Sequence, residues 1–437
     1  MAMTPEDMEK RRQRREKQLK KQRAQRRKLR LGLAAAVVIL ALCTFAIYFF
    51  VEHAPQEISA AVTDTLPTET TVPQTLPPEE TTPPKGAATP NHIRAAGDLN
   101  VTDNVVDAGL SAAGYDFTRA FQDVASTLSG ADLTVLNLEG NICGESYGTA
   151  TTSAPNKLLT ALRSAGVDLI QMANSCSINN GLIGLNSTLQ SIRAAGMEPV
   201  GAYSSPSEFK RSKGYTICNV QGLKVAFVAF TKGVGGMGMP AGNEDCVNLL
   251  YQDYDSTYKK VDTEGITQIL NAVKSEKPDF VVALVHWGSE NNDTISSTQE
   301  SIGKLMQKHG VGLIIGTHPH LVQEVKYDET AGTLVAYSLG DFYGDAPQRG
   351  SNYSIILDIE VTRDNATGQV TITGYDYVPI YSLQPEESAA GGQRVVRIEE
   401  AMARYNGNYL GKITASVYSS MEYALTRISE RIAEPVK

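Results

Sequence analysis

Histidine is scarce in this chain of 437 residues, which holds six. Three of them, His286, His318 and His320, lie just past short apolar runs that read as strands, Phe280–Val285 and Val311–Ile315. The first sits in His286-Trp287-Gly288 with Glu290 beyond, the other two in Gly316-Thr317-His318-Pro319-His320. Carboxylates and amides fall at the same kind of position. Asp98 follows Ile93–Ala96, Asn137 and Glu139 close Leu133–Leu138, and Asn174 follows Leu169–Met172. Asp341 follows Thr333–Tyr337 in Ser338-Leu339-Gly340-Asp341-Phe342. Neutral imidazole with carboxylate and amide oxygen suits a divalent ion of the Mn, Zn or Fe type. Two such ions roughly 3.5–4 Å apart can activate a bridging hydroxide and neutralise a phosphoryl transition state. Side chains of these types at strand ends could hold such ions.

Each residue also has a plainer explanation. His286 beside the single tryptophan could be a packed core histidine, and Asn174 a turn residue. Asp98 or Glu139 could cap a helix, although Asp does so far more often than Glu. For Asp341 the cap on the Gly340 turn is the favoured reading. The glycine-rich Gly233–Gly238 lacks the Lys-Ser/Thr of a phosphate-binding loop and reads as a rim loop.

The elements that must position these side chains alternate between strand and helix, which predicts sheets covered by helices. Lys224–Thr231 reads as a further strand. Leu185, Leu189 and Ile192, and likewise Ile302, Leu305 and Met306, recur at helical spacing. In open α/β sheets ligands bind beyond the carboxyl ends of strands, where the candidate residues fall. Tyr353–Val361 and Gln369–Tyr377 read as an antiparallel pair turning at Asp364, Asn365 and Gly368. Arg394–Arg404 and Ala415–Ile432 read as closing helices.

The amino-terminal part is of another kind. Up to Val51 there are thirteen Lys or Arg against four acids, a surplus of nine, so the total of −8 leaves −17 on the remainder. Leu31–Val51 carries no charge and is long enough to span a bilayer as a helix. The basic run before it places residues 1–30 in the cytoplasm and everything after the span outside. Such a run against a membrane reads as lipid contact rather than as a nucleic-acid site. A cleaved signal peptide ending near Ser59-Ala60-Ala61 is the alternative, disfavoured by the length of the apolar run. Residues 52–90 are rich in Thr, Pro and Glu and read as a disordered tether, leaving 91–437 as the extracytoplasmic domain. Of its four cysteines, which allow three pairings, Cys143–Cys176 and Cys218–Cys246 are the expected bridges. Cys143 and Cys176 both follow strand-end motifs.

Taken in order, Gly97-Asp98, Asn137-Leu138-Glu139, Ala173-Asn174, Gly181 with Gly184-Leu185 and Thr188-Leu189, His286-Trp287-Gly288-x-Glu290, Gly316-x-His318-Pro319-His320 and Tyr337–Phe342 resemble the CapA-type poly-γ-glutamate capsule-synthesis family over residues 92 to 345. That family looks like a branch of the calcineurin-like metallophosphoesterases. The resemblance implies a layered α/β sandwich of two sheets flanked by helices and a dinuclear divalent-metal site whose ligands are Asp98, Glu139, Asn174, His286, His318 and His320, with Glu139 bridging. It further implies an anionic capsule or cell-wall polymer as target, capsule-synthesis membrane proteins as partners, and metal-assisted hydrolysis or transfer. The family usually reads Asn-Asn-His where this chain has Asn174-Ser175-Cys176, and often an acid where Asn179 stands. Asn100 replaces a histidine of many phosphoesterases. The expected catalytic positions are His286, Asn174 and Cys176. A thiol at Cys176 cannot act as a cationic proton donor at neutral pH, so a catalytically degenerate binding or assembly protein is the rival expectation.

Overall fold

The computed structural model describes residues 90–387, 392–406 and 413–432. The expected basic segment, the apolar span Leu31–Val51 and all of the tether but Pro90 lie outside these residues. No helix among the described residues is long and apolar enough to cross a membrane.

In chain order the strands are β1 (Asn91–Asn100), β2 (Leu110–Ser111), β3 (Gly114–Tyr115), β4 (Leu133–Glu139), β5 (Leu169–Gln171), β6 (Glu198–Val200), β7 (Tyr215–Val220), β8 (Leu223–Thr231), β9 (Phe280–His286), β10 (Leu313–Thr317), β11 (Val325–Asp328), β12 (Thr333–Ala336), β13 (Asp341–Tyr343), β14 (Tyr353–Arg363), β15 (Val370–Leu383) and β16 (Arg394–Arg397). β2 and β3 form a small hairpin; the rest make two sheets. The larger runs β16-β15-β14-β1-β4-β5-β6, with β13 also paired to β1. The smaller runs β11-β12-β10-β9-β8-β7. In the smaller sheet the central strands β12-β10-β9-β8 are parallel and antiparallel pairs lie at both edges, whereas in the larger β1-β4-β5-β6 run parallel and β16-β15-β14-β1 antiparallel.

Side-chain alternation along strands builds the layers. In β8 and β9, Phe227, Ala229, Val282 and Leu284 join the core shared with the larger sheet. Their neighbours Ala226, Val228, Ala283 and Val285 pack with Ile266, Leu270, Ile302 and Met306 of the helices Thr263–Ser275 and Ser297–Lys308. Strands buried on both faces read as continuous apolar runs, which is why these were visible in the sequence. The helix Ser297–Lys308 begins at a capping box formed by Ser296 and Gln299, satisfying orphan amides at its start. The expected mixed α/β sandwich of two sheets with flanking helices is thus the observed architecture.

Several boundaries differ from expectation. Arg394–Arg404 does not start as a helix: Arg394–Arg397 pairs with β15, and only Ile398–Ala403 is helical. The buried Val395 and Val396 gain more from the sheet core than from helix continuation. Val311–Ile315 is displaced towards the carboxyl end as β10. The short strands β6 and β13 and the edge strands β7 and β11 carried no clear apolar pattern.

Two glycines fix how closely backbones cross near the carboxyl ends of β1 and β10. A Cβ on Gly97 would lie 1.8 Å from the Gly340 carbonyl oxygen, and one on Gly316 would lie 1.9 Å from that of Tyr337. The Asp98 amide donates to the same Gly340 oxygen at 3.0 Å. Gly97→Ala should therefore destabilise the fold by about 3 kcal/mol or more, at the upper end for overpacking. Gly303→Ala, in a helix with nothing nearer than 4.0 Å to the new methyl, should be neutral or stabilising by up to about 1 kcal/mol. Urea unfolding of the two variants checks this ordering.

Candidate metal centre

Parallel pairing brings the strand ends together. Asp98 of β1 stands opposite Asn137 of β4 and Asp341 of β13, and Thr317 of β10 stands opposite His286 of β9. His318 and His320 follow β10 directly, both with left-handed backbone, at φ 93° and 59°. Such φ values are uncommon outside glycine and cost about 1–3 kcal/mol where the surroundings impose them. The turn aims both rings back at the sheet. The His286 and His318 ring centres lie 4.6 Å apart, those of His318 and His320 6.1 Å.

One ligand atom from each of Glu139, His286 and His318 lies within 4.8 Å of the others. The same holds for Asp98, Glu139 and His320, and for Glu290, His318 and His320. Glu139 belongs to the first two groups. Its Oε1 stands 3.5 Å from His286 Nε2. Asp98 is fully buried; its Oδ1 accepts from Asn137 Nδ2 at 2.6 Å and its Oδ2 from the His318 amide at 3.0 Å. His286 Nδ1 meets Thr317 Oγ1 at 3.1 Å, and its Nε2 meets Ser175 Oγ at 3.0 Å. His320 Nδ1 meets Asp341 Oδ1 at 2.8 Å.

Burial dominates the electrostatics. It pushes the Asp98 carboxyl up to about 6, with His320 opposing and Asp341 adding to the rise. Glu139 is raised well above the usual carboxylate range, first by burial and then by Asp98. His286 and His318 are held well below the ordinary imidazole value by burial, with neighbouring cations adding to the effect, and are therefore neutral. Burial works against the charge on His320 too, but Asp341, with help from Glu139 and Asp98, outweighs it and lifts that imidazole to about 11. Two buried atoms, Glu139 Oε1 and His318 Nδ1, have no hydrogen-bond partner. Orphaned acceptors among buried carboxylates and neutral imidazoles are what a site for divalent cations requires. The residues fit such ions.

The family described as "Bacterial capsule synthesis protein PGA_cap" matches residues 92–346. The chain belongs to this family. A Bacillus anthracis relative, "Capsule biosynthesis protein CapA", is 28% identical over 295 residues, covering 65% of this chain and 67% of its own length. The Bacillus subtilis (strain 168) "PGA biosynthesis protein CapA" is 26% identical over 215 residues, covering 49% of this chain and 52% of its own. Among solved structures, the calcineurin-like phosphoesterase YfkN of Bacillus subtilis is similar with a TM-score of 0.39 and 15% identity, over 79% of this chain and 99% of that one. A phosphatase of Mycoplasma pneumoniae gives 0.42 and 12%, over 68% and 95%.

Every expected ligand lies within the PGA_cap match, and five of the six, Asp98, Glu139, His286, His318 and His320, fall into the donor groups above. Asn174 reaches them through other side chains. Its Nδ2 donates to Asn137 Oδ1 at 3.0 Å and to the Leu138 carbonyl at 2.7 Å, while its Oδ1 accepts from the Cys176 amide at 2.9 Å. Asp341 corrects the sequence reading: it is buried against His320 rather than serving only as a turn cap, and Asn100 hydrogen-bonds to it. Ser175, in contact with His286, gave no signal in the sequence beyond its neighbours. Neither expected disulfide is present, since all four described cysteines are free. Cys143 Sγ faces Ser153 Oγ at 3.3 Å, and Cys246 Sγ faces Asn243. Cys176 bonds to Thr152 and Asn179, and burial together with the Glu139 charge holds its thiol far above the usual range.

The His320–Asp341 pair gives a pH dependence of definite sign. The folded value of about 11 exceeds the ordinary 6.5, so the pair's contribution is complete below the lower value and is lost as pH rises towards the higher. Metal-free protein should show a thermal midpoint that falls between about pH 7 and pH 10, and less steeply in Asp341→Asn. Equal slopes for the two proteins would contradict the pairing.

Proposed function

We propose that this chain is a membrane-anchored protein of the bacterial surface that acts on an anionic envelope polymer, poly-γ-glutamate or a related capsule component, through two divalent metal ions. The observation that carries this reading is the pair of donor groups sharing Glu139, with its buried and unpartnered Oε1. Asp98 and His320 would hold one ion, His286 and His318 the other, and Glu139 would serve both. Asn174 keeps one lone pair of its Oδ1 beyond the bond from Cys176. When bound, the ions supply an activated water and neutralise charge developing on the substrate. Family membership and the capsule-biosynthesis names of the relatives support the polymer; the apolar Leu31–Val51 supports the anchor.

The chain's own groups prepare this chemistry. Neutral His286 and His318 offer lone pairs without first losing a proton. Burial shifts Asp98 and Glu139 towards their protonated forms, so ion binding competes with protons and tightens as pH rises. Thr317 Oγ1, which also accepts from Gln171 Nε2 at 3.3 Å, fixes the His286 ring through Nδ1, the usual way an outer partner sets a ligating imidazole. Asp341 orients His320 in the same fashion.

A second reading rests on Cys176. Its half-buried, protonated thiol cannot donate a proton as an imidazolium would, which favours a protein that binds metal and polymer without turnover. Metal content and hydrolysis of bis(p-nitrophenyl) phosphate decide between the two. For the enzyme, chelation or His286→Ala should lower the rate by about 100-fold or more, and Cys176→His should leave it equal or raise it. Bound metal with no hydrolysis, unrecovered by Cys176→His, would establish the binding role instead.

A further inference from the structure

A cation stands beside the metal centre that the reading above does not use. Lys232 follows β8 directly, where Thr231 pairs with His286, and its amide donates to the His286 carbonyl at 2.8 Å. The next residue is pinned on both sides. Thr231 Oγ1 donates to the Gly233 carbonyl at 2.7 Å, and a Cβ on Gly233 would lie 2.6 Å from the Tyr254 carbonyl oxygen. The lysine stem therefore leaves a rigid turn. Its half-buried ammonium donates to the Gly288 carbonyl at 2.8 Å and lies 4.8 Å from the centre of the Tyr258 ring. From there its charge reaches His286, His318 and Glu290. None of the described carboxylates forms an ion pair with it. Two of its three donors thus lack a partner among the described residues.

A half-buried ammonium anchored on one carbonyl can turn its other donors to an anion, and partial desolvation strengthens that pairing. A neutral carbonyl and an aromatic face hold the group in place but do not neutralise it. Glu290, exposed on the same side of the histidines, belongs to one of the donor groups and is the natural partner of an ion rather than of the lysine. We propose that Lys232 binds an oxyanion of the substrate, carboxylate or phosphate, and presents it to the metal centre. This rests on the metal-dependent reading above and adds the chemical class of the group recognised.

The test uses the full-length chain loaded with Mn²⁺, with inorganic phosphate and the dipeptide γ-glutamyl-glutamate as probes, in calorimetric titrations of the unchanged protein, Lys232→Met and Lys232→Arg. A charge-assisted hydrogen bond predicts binding about tenfold weaker, or more, in Lys232→Met for at least one probe. Lys232→Arg should stay within about threefold, because it keeps the charge, and Mn²⁺ content should be unchanged in both variants. A loss confined to phosphate assigns the oxyanion to a phosphoryl group, and one confined to the dipeptide assigns it to a carboxylate. Unchanged affinity for both probes at full Mn²⁺ content overturns the role of Lys232 and leaves the metal centre standing. Absence of Mn²⁺ uptake by the unchanged protein overturns both. A phosphate-soaked crystal of the unchanged protein gives an independent answer, requiring a phosphate oxygen within about 3.2 Å of Lys232 Nζ; phosphate seated elsewhere rejects the proposal.

Discussion

Three carboxyl groups, those of Asp98, Glu139 and Asp341, are buried in one place. Ionised carboxylates in an apolar surrounding are among the most costly groups a protein can bury, and each added neighbour of the same sign raises the cost. The chain answers this in part with His320 on Asp341 and with two hydrogen bonds to Asp98. It gives Glu139 Oε1 no hydrogen bond at all. Burial shifts Asp98 and Glu139 towards their protonated forms, and the remainder of the domain has to keep the three groups together as protons leave and repulsion sets in.

That demand accounts for the scaffold. Parallel strands with buried faces fix Asp98, Glu139 and His286 by main-chain register rather than by side-chain contacts, so repulsion cannot spread them without breaking a sheet. The crossings at Gly97 and Gly316 bring a second set of loops to the same spot, at distances no larger residue permits. The left-handed turn through His318 and His320 then supplies the counterpart donors. Its backbone cost of about 1–3 kcal/mol per residue is small beside the apolar area buried between the two sheets.

The sequence revealed the parts of this arrangement that depend on local pattern. β4, β8 and β9 were legible because strands covered on both faces are unbroken apolar runs, and the ligand candidates because they stop those runs. What depends on distant partners was not legible. Asp341 looks like any aspartate after a glycine until His320, twenty-one residues away in the chain, is seen against it. The stretch after Arg394 carried both valines for a sheet edge and acids for a helix start, and only packing against β15 decides where one ends. Cysteine spacing placed Cys143 and Cys176 on neighbouring loops but said nothing of the direction in which their thiols point. Ser175 touches His286 through a loop path that no periodicity encodes.

The backbone at residues 318 and 320 has a consequence for how this site could change. Left-handed geometry is easier for glycine than for histidine, so exchanging either histidine for glycine would relax the main chain. Histidine at both positions therefore carries a backbone cost that must be met by what the rings touch, the neighbouring imidazoles for His318 and Asp341 for His320.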